Sequence, residues 1–210
     1  MERRKLVVRI IAAVIIAALL GGSLLSWIIC PNIGEYTEYK FDVKNFHMAT
    51  TIEVEKSGED FATVKGNVWK FVTDPLTMYD TNENKLAYAG DEYHFLAQDS
   101  HSIVVNDTVV EMVGRVNFIG ETYDIYDADQ KKIAKLKINY FNTEGKLYDA
   151  DGNIIAVYRS FPFFNDFNVR VSDDCELDEN VVVMVFSSYY SDHKFDESES
   201  SGSSSRSKSK

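Results

Sequence analysis

One short pattern recurs three times along the chain and restricts what it can fold into. In each copy an apolar residue, a tyrosine and an aspartate end one run, and an apolar residue and an alanine open the next: Met78-Tyr79-Asp80 with Leu86-Ala87, Ile125-Tyr126-Asp127 with Ile133-Ala134, and Leu147-Tyr148-Asp149 with Ile155-Ala156. An aspartate at the end of a strand can accept hydrogen bonds from the turn backbone, and Gly152 can supply a positive φ. The pattern predicts three β-hairpins of one kind.

Apolar and polar residues also alternate through much of the region between residues 36 and 192. The clearest runs place apolar residues at every second position: Ile52 and Val54; Ala134, Leu136 and Ile138; Phe167, Val169 and Val171. A period of two is typical of strands that bury one face. The sequence therefore predicts one mainly β domain over residues 36–192, built as a sandwich or a barrel.

The apolar segment near the end of this region supports two interpretations. Val181–Phe186 is rich in β-branched residues, which favours a buried strand. Asp178 and Glu179 precede it as residues at a helix start do, and apolar residues continue at helical spacing to Tyr189 and Tyr190. The local sequence leaves both a strand and a helix open.

The first 30 residues have the features of a membrane anchor. Ile10 to Ile29 is a run without a charge, and at about 1.5 Å per residue it spans about 30 Å, the thickness of a bilayer core. Basic residues precede it: Arg3, Arg4, Lys5 and Arg9. The positive-inside rule then predicts a single-pass protein of the cytoplasmic (plasma) membrane, with its N-terminus in the cytoplasm and its domain outside. A cleaved signal peptide is the competing interpretation, although its apolar region would be shorter, about 7–15 residues.

The part of the chain after residue 30 is strongly acidic. The net charge is −11, and residues 1–30 contribute +3, which leaves −14 for the rest. Nucleic-acid binding rests on cations that neutralise phosphates, so no nucleic-acid partner is expected.

Residues 31–35 are predicted to be a linker, and the Ser-rich residues 193–210 are predicted to be a disordered tail.

No segment carries a complete catalytic or metal motif. The turn at residues 149–153 lacks the later glutamate of a calcium loop, and His94 and His101 match no zinc spacing. Ser187 and Ser188 lack the glycines of a nucleophile elbow, and two cysteines, Cys30 and Cys175, do not make a disulfide framework. We therefore expect no cofactor, no metal site and no catalytic residue.

One basic cluster stands out in the acidic domain: Lys131, Lys132, Lys135 and Lys137. Lys135 and Lys137 fall on the strand face opposite Ala134 and Leu136. Such a face can contact an anionic ligand, and the alternative is a solvated strand face of the ordinary kind.

The hairpin pattern, then Phe167-Asn168-Val169-Arg170-Val171, then a hydrophobic segment after Asp178, resembles the LURP-one-related proteins. These belong with the tubby C-terminal and phospholipid scramblase group. The resemblance spans about Phe46 to Asp192 and implies a closed barrel of about twelve antiparallel strands. The resemblance also implies one central hydrophobic C-terminal helix inside the barrel, from Glu179 to about Ser191. No motif allows the phosphoinositide-binding residues of tubby proteins, or the calcium-binding features of scramblases, to be carried over.

Two classes of function follow. The first is a membrane-anchored, non-catalytic β-barrel module that binds lipid, an envelope polymer or a protein partner. The second is a lipid-translocating or enzymatic protein whose site is assembled from residues distant in sequence. The absence of local motifs favours the first, and an open polar cavity inside the barrel would favour the second.

Overall fold

A computed structural model of the chain describes residues 31–46, 49–66, 75–91, 100–116, 120–140, 142–160 and 166–202. From Ile33 onward they form one compact unit. Within these ranges the elements are β1 Tyr36–Phe46, β2 Ala49–Lys56, β3 Glu59–Gly66, β4 Leu76–Asp80, β5 Lys85–Asp91, β6 Ser100–Val105, β7 Thr108–Val116, β8 Glu121–Tyr126, β9 Lys132–Ile138, β10 Glu144–Asp149, β11 Ile154–Ser160, β12 Phe167–Ser172 and α1 Glu179–Gly202.

The twelve strands close into one antiparallel barrel. Every strand pairs with the next along the chain, and β1 pairs with β12, with Tyr39 opposite Val169. Closure leaves no strand with an unpaired edge. The expected mainly β fold and closed antiparallel barrel are thereby confirmed.

The alternating runs place their apolar residues on the inner face of this barrel. Ile52, Val54, Leu136, Phe167 and Val169 are each at most 2% exposed. Their polar neighbours along the strands face outward, as the period of two requires. The interior is therefore lined continuously by apolar side chains.

The three predicted hairpins are confirmed, and they share one turn. They join β4 to β5, β8 to β9 and β10 to β11. In each turn the aspartate carboxylate accepts a hydrogen bond from a backbone N–H four residues later: Asn84 to Asp80 at 2.8 Å, Lys131 to Asp127 at 2.9 Å, and Asn153 to Asp149 at 2.8 Å. The residue before that donor has a positive φ in all three: Glu83 at 64°, Gln130 at 61° and Gly152 at 90°.

The ambiguous apolar segment is a helix, α1, which begins at Glu179 as the resemblance implied. Asp178 precedes it, and its carboxylate accepts a hydrogen bond from the Asn180 N–H at 2.8 Å, a typical N-cap. All eleven residues from Val181 to Ser191 are buried. A helix buried on every side within a closed barrel lies at its centre, so the central hydrophobic helix is confirmed.

Aromatic rings join this helix to the wall. The Phe186 ring stacks on Tyr158, with the ring centroids 5.9 Å apart, and the Tyr190 ring stacks on Phe167 at 5.1 Å. On the opposite side α1 approaches β4, β5 and β6, where Ala87 and Ala89 face inward. Small residues on one side and large rings on the other let the helix fill the interior.

Two predictions concern the ends of the chain. The anchor at residues 10–29, with the orientation inferred from it, lies outside the described residues, and no helix within the described residues is long and apolar enough to cross a bilayer. At the other end α1 continues through residues 193–202, which belong to the segment predicted to be disordered. Once a helix is nucleated, each further residue adds one backbone hydrogen bond, which is how a helix can continue past its buried part. Residues 203–210 lie outside the described part of the chain.

Candidate functional site

The predicted basic cluster lies where β8 meets β9 on the outer wall. Lys135 and Lys137 face outward from β9, while Ala134 and Leu136 face the core, as the alternation predicted. Lys132 begins the strand and Lys131 ends the turn before it. Lys131 and Lys132 thus lie at the turn end of this strand pair, opposite Tyr126, whereas Lys137 lies toward its other end, opposite Thr122.

A buried carboxylate holds part of the cluster together. Asp124 faces outward from β8, yet its side chain is only 3% exposed because long basic side chains cover it. Arg115 Nε lies 2.6 Å from Asp124 Oδ2, Lys135 Nζ lies 4.0 Å from Oδ1, and Lys132 forms a close ion pair with the same oxygen. One carboxylate therefore lies within ion-pair distance of three cations.

The other two lysines of the cluster are arranged differently. Lys131 contributes its backbone N–H to the Asp127 carboxylate, as part of the shared turn. Lys137 Nζ lies 5.1 Å from the centroid of the Tyr148 ring. Among the described residues no carboxylate is within ion-pair distance of Lys137, so its charge is available to a ligand.

Arg115 was not predicted from the sequence as part of this surface. It projects from β7, opposite Thr122, and is 60% exposed on its side chain. The Tyr126 hydroxyl accepts a hydrogen bond from Arg115 Nη2 at 3.2 Å, and this contact, together with the charge of Asp124, raises the pKa of Arg115. Only the pairing of β7 with β8 reveals this residue.

Two further cations extend the surface beyond β9. Lys146 faces outward from β10 with its Nζ 2.9 Å from Glu144 Oε1. Arg170 faces outward from β12, with its Nε 3.2 Å from Glu38 Oε1 and its guanidinium 4.9 Å from the Tyr36 ring centroid. Neither belongs to a local charge run, and although the alternation of Phe167, Val169 and Val171 places Arg170 on the outer face, it does not show that Arg170 lies on the same line as Lys146.

The remaining candidates that the structure describes lie in a turn or in the buried interior. The turn at residues 149–153 is a hairpin turn, where hydrogen bonds from Asn153 lower the pKa of Asp149. His101 lies buried on β6, and His94 lies outside the described residues. Ser187 and Ser188 are fully buried on α1. Across the described ranges, no group of three metal-binding side chains is present.

Of the two cysteines, Cys175 is among the residues that the structure describes. Cys175 is half-buried in the turn that follows β12, and burial raises the pKa of its thiol. A thiol of this kind is less reactive at neutral pH than an exposed one. Cys30 lies outside the described residues.

No family model, no curated protein and no solved structure matches the chain. Its function must therefore be inferred from the contacts of its own residues. The arrangement on the outer wall gathers positive charge around Asp124, which is suited to electrostatic binding of an anion.

Proposed function

We propose that the chain is a membrane-tethered, non-catalytic binding module, and that the outer wall around Asp124 binds an anionic ligand. The observation that carries the proposal is the ion-pair centre itself. Arg115, Lys132 and Lys135 share one buried carboxylate, so three positive charges are held by one negative charge. The excess positive charge faces solvent on a wall whose domain is otherwise acidic.

The filled interior supports a site on the outside. The helix residues Val181–Ser191 are buried inside the barrel, and their aromatic rings stack against the wall. A central ligand would have to displace this helix and the core around it. Enzymatic or lipid-translocating function through the barrel interior would need such a rearrangement, whereas binding to the wall needs none.

The membrane tether is part of the same proposal. It is supported by the uncharged run Ile10–Ile29 and by the basic residues that precede it. The positive-inside rule places the domain outside the cytoplasmic membrane. Membership of the LURP-one-related group is likewise proposed, and it is supported by a twelve-strand barrel that holds a hydrophobic helix starting at Glu179.

Binding of anionic probes to the full chain in nanodiscs of neutral lipid tests the wall. The probes are inorganic polyphosphate and vesicles that contain phosphatidylglycerol. The variant Lys132→Gln/Lys135→Gln/Lys137→Gln should bind at least one of the two probes at least tenfold more weakly than the parent chain does. The control Lys40→Gln/Lys44→Gln/Lys65→Gln removes the same charge from β1 and β3 and should change binding less than twofold. Equal losses in the two variants would show non-specific attraction and contradict the proposal.

Protease accessibility tests the tether and its direction. Protease added to intact protoplasts should digest the domain, because the domain is proposed to lie outside the membrane. Domain digestion only after lysis would place the domain in the cytoplasm instead. Release of the domain into the medium without protease would favour the cleaved signal peptide.

A further inference from the structure

The strand register places six outward-facing residues in one line across the barrel wall. Successive cross-strand pairs join Arg115 to Thr122, Thr122 to Lys137, Lys137 to Lys146, Lys146 to Val157, and Val157 to Arg170. We call this line the basic row: Arg115, Thr122, Lys137, Lys146, Val157 and Arg170. It runs from β7 to β12, and five interstrand steps of about 4.8 Å give it a length of about 24 Å.

The two neutral residues of the basic row are buried between the charged ones. Thr122 is 9% exposed and Val157 is 1% exposed, although both face outward. The charged groups of two of the four cations are displaced from the line: the Arg115 guanidinium extends along β8 to Asp124 and Tyr126, and the Lys146 ammonium extends along β10 to Glu144. The row therefore joins four cations, with no acidic residue within it.

The carboxylates that neutralise the row stand beside it. Asp124 lies two residues along β8 from Thr122, and Glu144 lies two residues along β10 from Lys146. Glu38 lies beyond the end of the row, opposite Arg170 on β1. Anionic groups of a ligand can therefore approach along the row without meeting a carboxylate within it.

Lys137 and Lys146 are directly opposite each other on neighbouring strands. Like charges in directly opposed positions destabilise a sheet. Lys146 is paired with Glu144, whereas Lys137 contacts only the Tyr148 ring among the described residues. An anion seated between the two ammonium groups would relieve this repulsion, which makes the middle of the row its strongest binding position.

The shape of the wall limits what can contact the whole row. The row crosses six of the twelve strands, about half of the way around a closed barrel. A convex wall of this kind touches a flat bilayer along a narrow strip only. Arg115 and Arg170, at the two ends, cannot both lie against one flat surface, but a flexible chain can bend around the wall and reach both.

We propose that the ligand of this wall is a linear polyanion, a polymer with regularly spaced phosphate groups, which lies across the strands along the basic row. The proposal rests on the anionic-ligand function proposed above and specifies the class of ligand. The polymer is held by charge neutralisation at Arg115, Lys137, Lys146 and Arg170. Bilayer lipid headgroups, which present phosphate on a flat surface, are the alternative that the test must separate.

Chain length provides the test, with the full chain in nanodiscs of neutral lipid. Long polyphosphate, of about 60 units, is longer than the row, and tripolyphosphate is shorter than the row. Arg115→Gln and Arg170→Gln should each weaken binding of the long chain about fivefold, and the double variant should combine both losses. The slope of log affinity against log salt should fall by about one for each cation removed. Tripolyphosphate cannot reach both ends of the row. The double variant should therefore bind it no more weakly than the single variant with the larger loss. Lys65→Gln, on β3, is the matched control and should leave binding of both probes unchanged.

Each other outcome has a defined meaning. If Lys137→Gln weakens polyphosphate binding and neither arginine change does, the anionic site stands and the extended row is wrong. If phosphatidylglycerol vesicles bind and long polyphosphate does not, the ligand is a membrane surface and the polymer proposal is wrong. If no anionic probe binds at all, both the proposed function and the row are wrong. Melting temperatures of all variants should match that of the parent chain, and a variant that has lost its melting transition is replaced by Arg115→Lys or Arg170→Lys, which keep the charge and should keep the binding.

Discussion

Asp124 is the residue on which the arrangement of the outer wall most depends. Its carboxylate is 3% exposed and lies within ion-pair distance of Arg115, Lys132 and Lys135. Asp124→Asn removes the negative charge and leaves three cations close together over a polar group. The three cations are 33–60% exposed, so solvent screens the repulsion that remains, and we expect a loss of about 1–2 kcal/mol in the free energy of unfolding. Denaturant titration of the full chain in detergent measures it.

Asp107→Asn is the control for this substitution. Asp107 is exposed in the turn between β6 and β7, and its φ of 65° suits asparagine as well as aspartate. We expect a change below about 0.5 kcal/mol there. Equal small effects at both positions would mean that Asp124 does not organise the wall.

Residues of the wall show how far local sequence reaches. Alternation placed Lys135 and Lys137 on the outer face because a strand has a fixed period. Asp124 and Arg115 were missed because a residue's neighbours across strands depend on the register of β7 with β8, which the alternation within one strand does not give. Burial of an outward-facing aspartate depends on the long side chains beside it, which no local pattern reports.

Among the elements, α1 is attached to the wall at its first residue. Tyr39, on β1, donates a hydrogen bond to Glu179 Oε2 at 2.9 Å, and Lys56, at the end of β2, forms a close ion pair with the same carboxylate. Burial alone would raise the pKa of Glu179, but the contacts with Lys56 and Tyr39 outweigh it and the pKa is lowered. Burial and the same carboxylate raise the pKa of Tyr39.

The lowered pKa of Glu179 predicts how this attachment responds to pH. A carboxyl group whose pKa is lower in the folded state stabilises the fold above its unfolded pKa, about 4.3, and loses this effect as pH falls through the folded pKa. Glu179→Gln should therefore destabilise the chain at pH 7, by at most about 1 kcal/mol because the pair is partly exposed. Urea titrations at successive pH values should show the difference between parent and variant shrinking as pH falls below the unfolded pKa. A difference that stays constant as pH falls would mean that the carboxylate charge is not the cause.

The centre of α1 carries the largest predicted effect of an apolar substitution. Phe186 is fully buried and stacks on Tyr158. Truncation of a buried aromatic leaves a cavity, so Phe186→Ala should lower the free energy of unfolding by about 3–5 kcal/mol. Tyr140→Ala removes a comparable ring that is 71% exposed and should cost below about 0.5 kcal/mol. Similar thermal shifts in the two variants would contradict the central position of the helix.

Local sequence could not decide whether α1 is a strand or a helix. Val181, Val182, Val183 and Val185 all favour a strand by propensity. The Asp178 cap and the helical spacing pointed the other way, and neither signal outweighs the other locally. Burial on every side decides in favour of the helix, because a helix satisfies its own backbone hydrogen bonds inside a barrel where a strand would have no partner. The hairpins were predictable for the opposite reason, since their turns are set by residues a few positions apart.

At the scale of the whole molecule, the closed barrel depends on a pairing that no local pattern contains. β1 and β12 are joined through pairs such as Tyr36 with Ser172, more than a hundred residues apart. Hairpin signals predicted neighbouring strands and left sandwich and barrel both open. Resemblance to a known group supplied the closure and the central helix, and the physical reason for both is the same: closure removes the edges, and the helix fills the space that closure creates.

Two truncations that keep the N-terminal segment separate the helix from the tail after it. A chain that ends at Asp178 lacks α1, and the wall residues Tyr158 and Phe167 lose the rings stacked on them. A barrel closed by backbone hydrogen bonds cannot contract to fill this space, so we expect this chain to show no cooperative thermal transition by near-UV circular dichroism. A chain that ends at Asp192 keeps every buried residue of the helix through Ser191. Its free energy of unfolding should be within about 1 kcal/mol of that of the full chain. A larger loss in this second chain would show that residues 193–210 pack on the domain, against the prediction from their composition. A cooperative transition in the first would show that the wall is stable when hollow, and the barrel interior would then become available to a ligand.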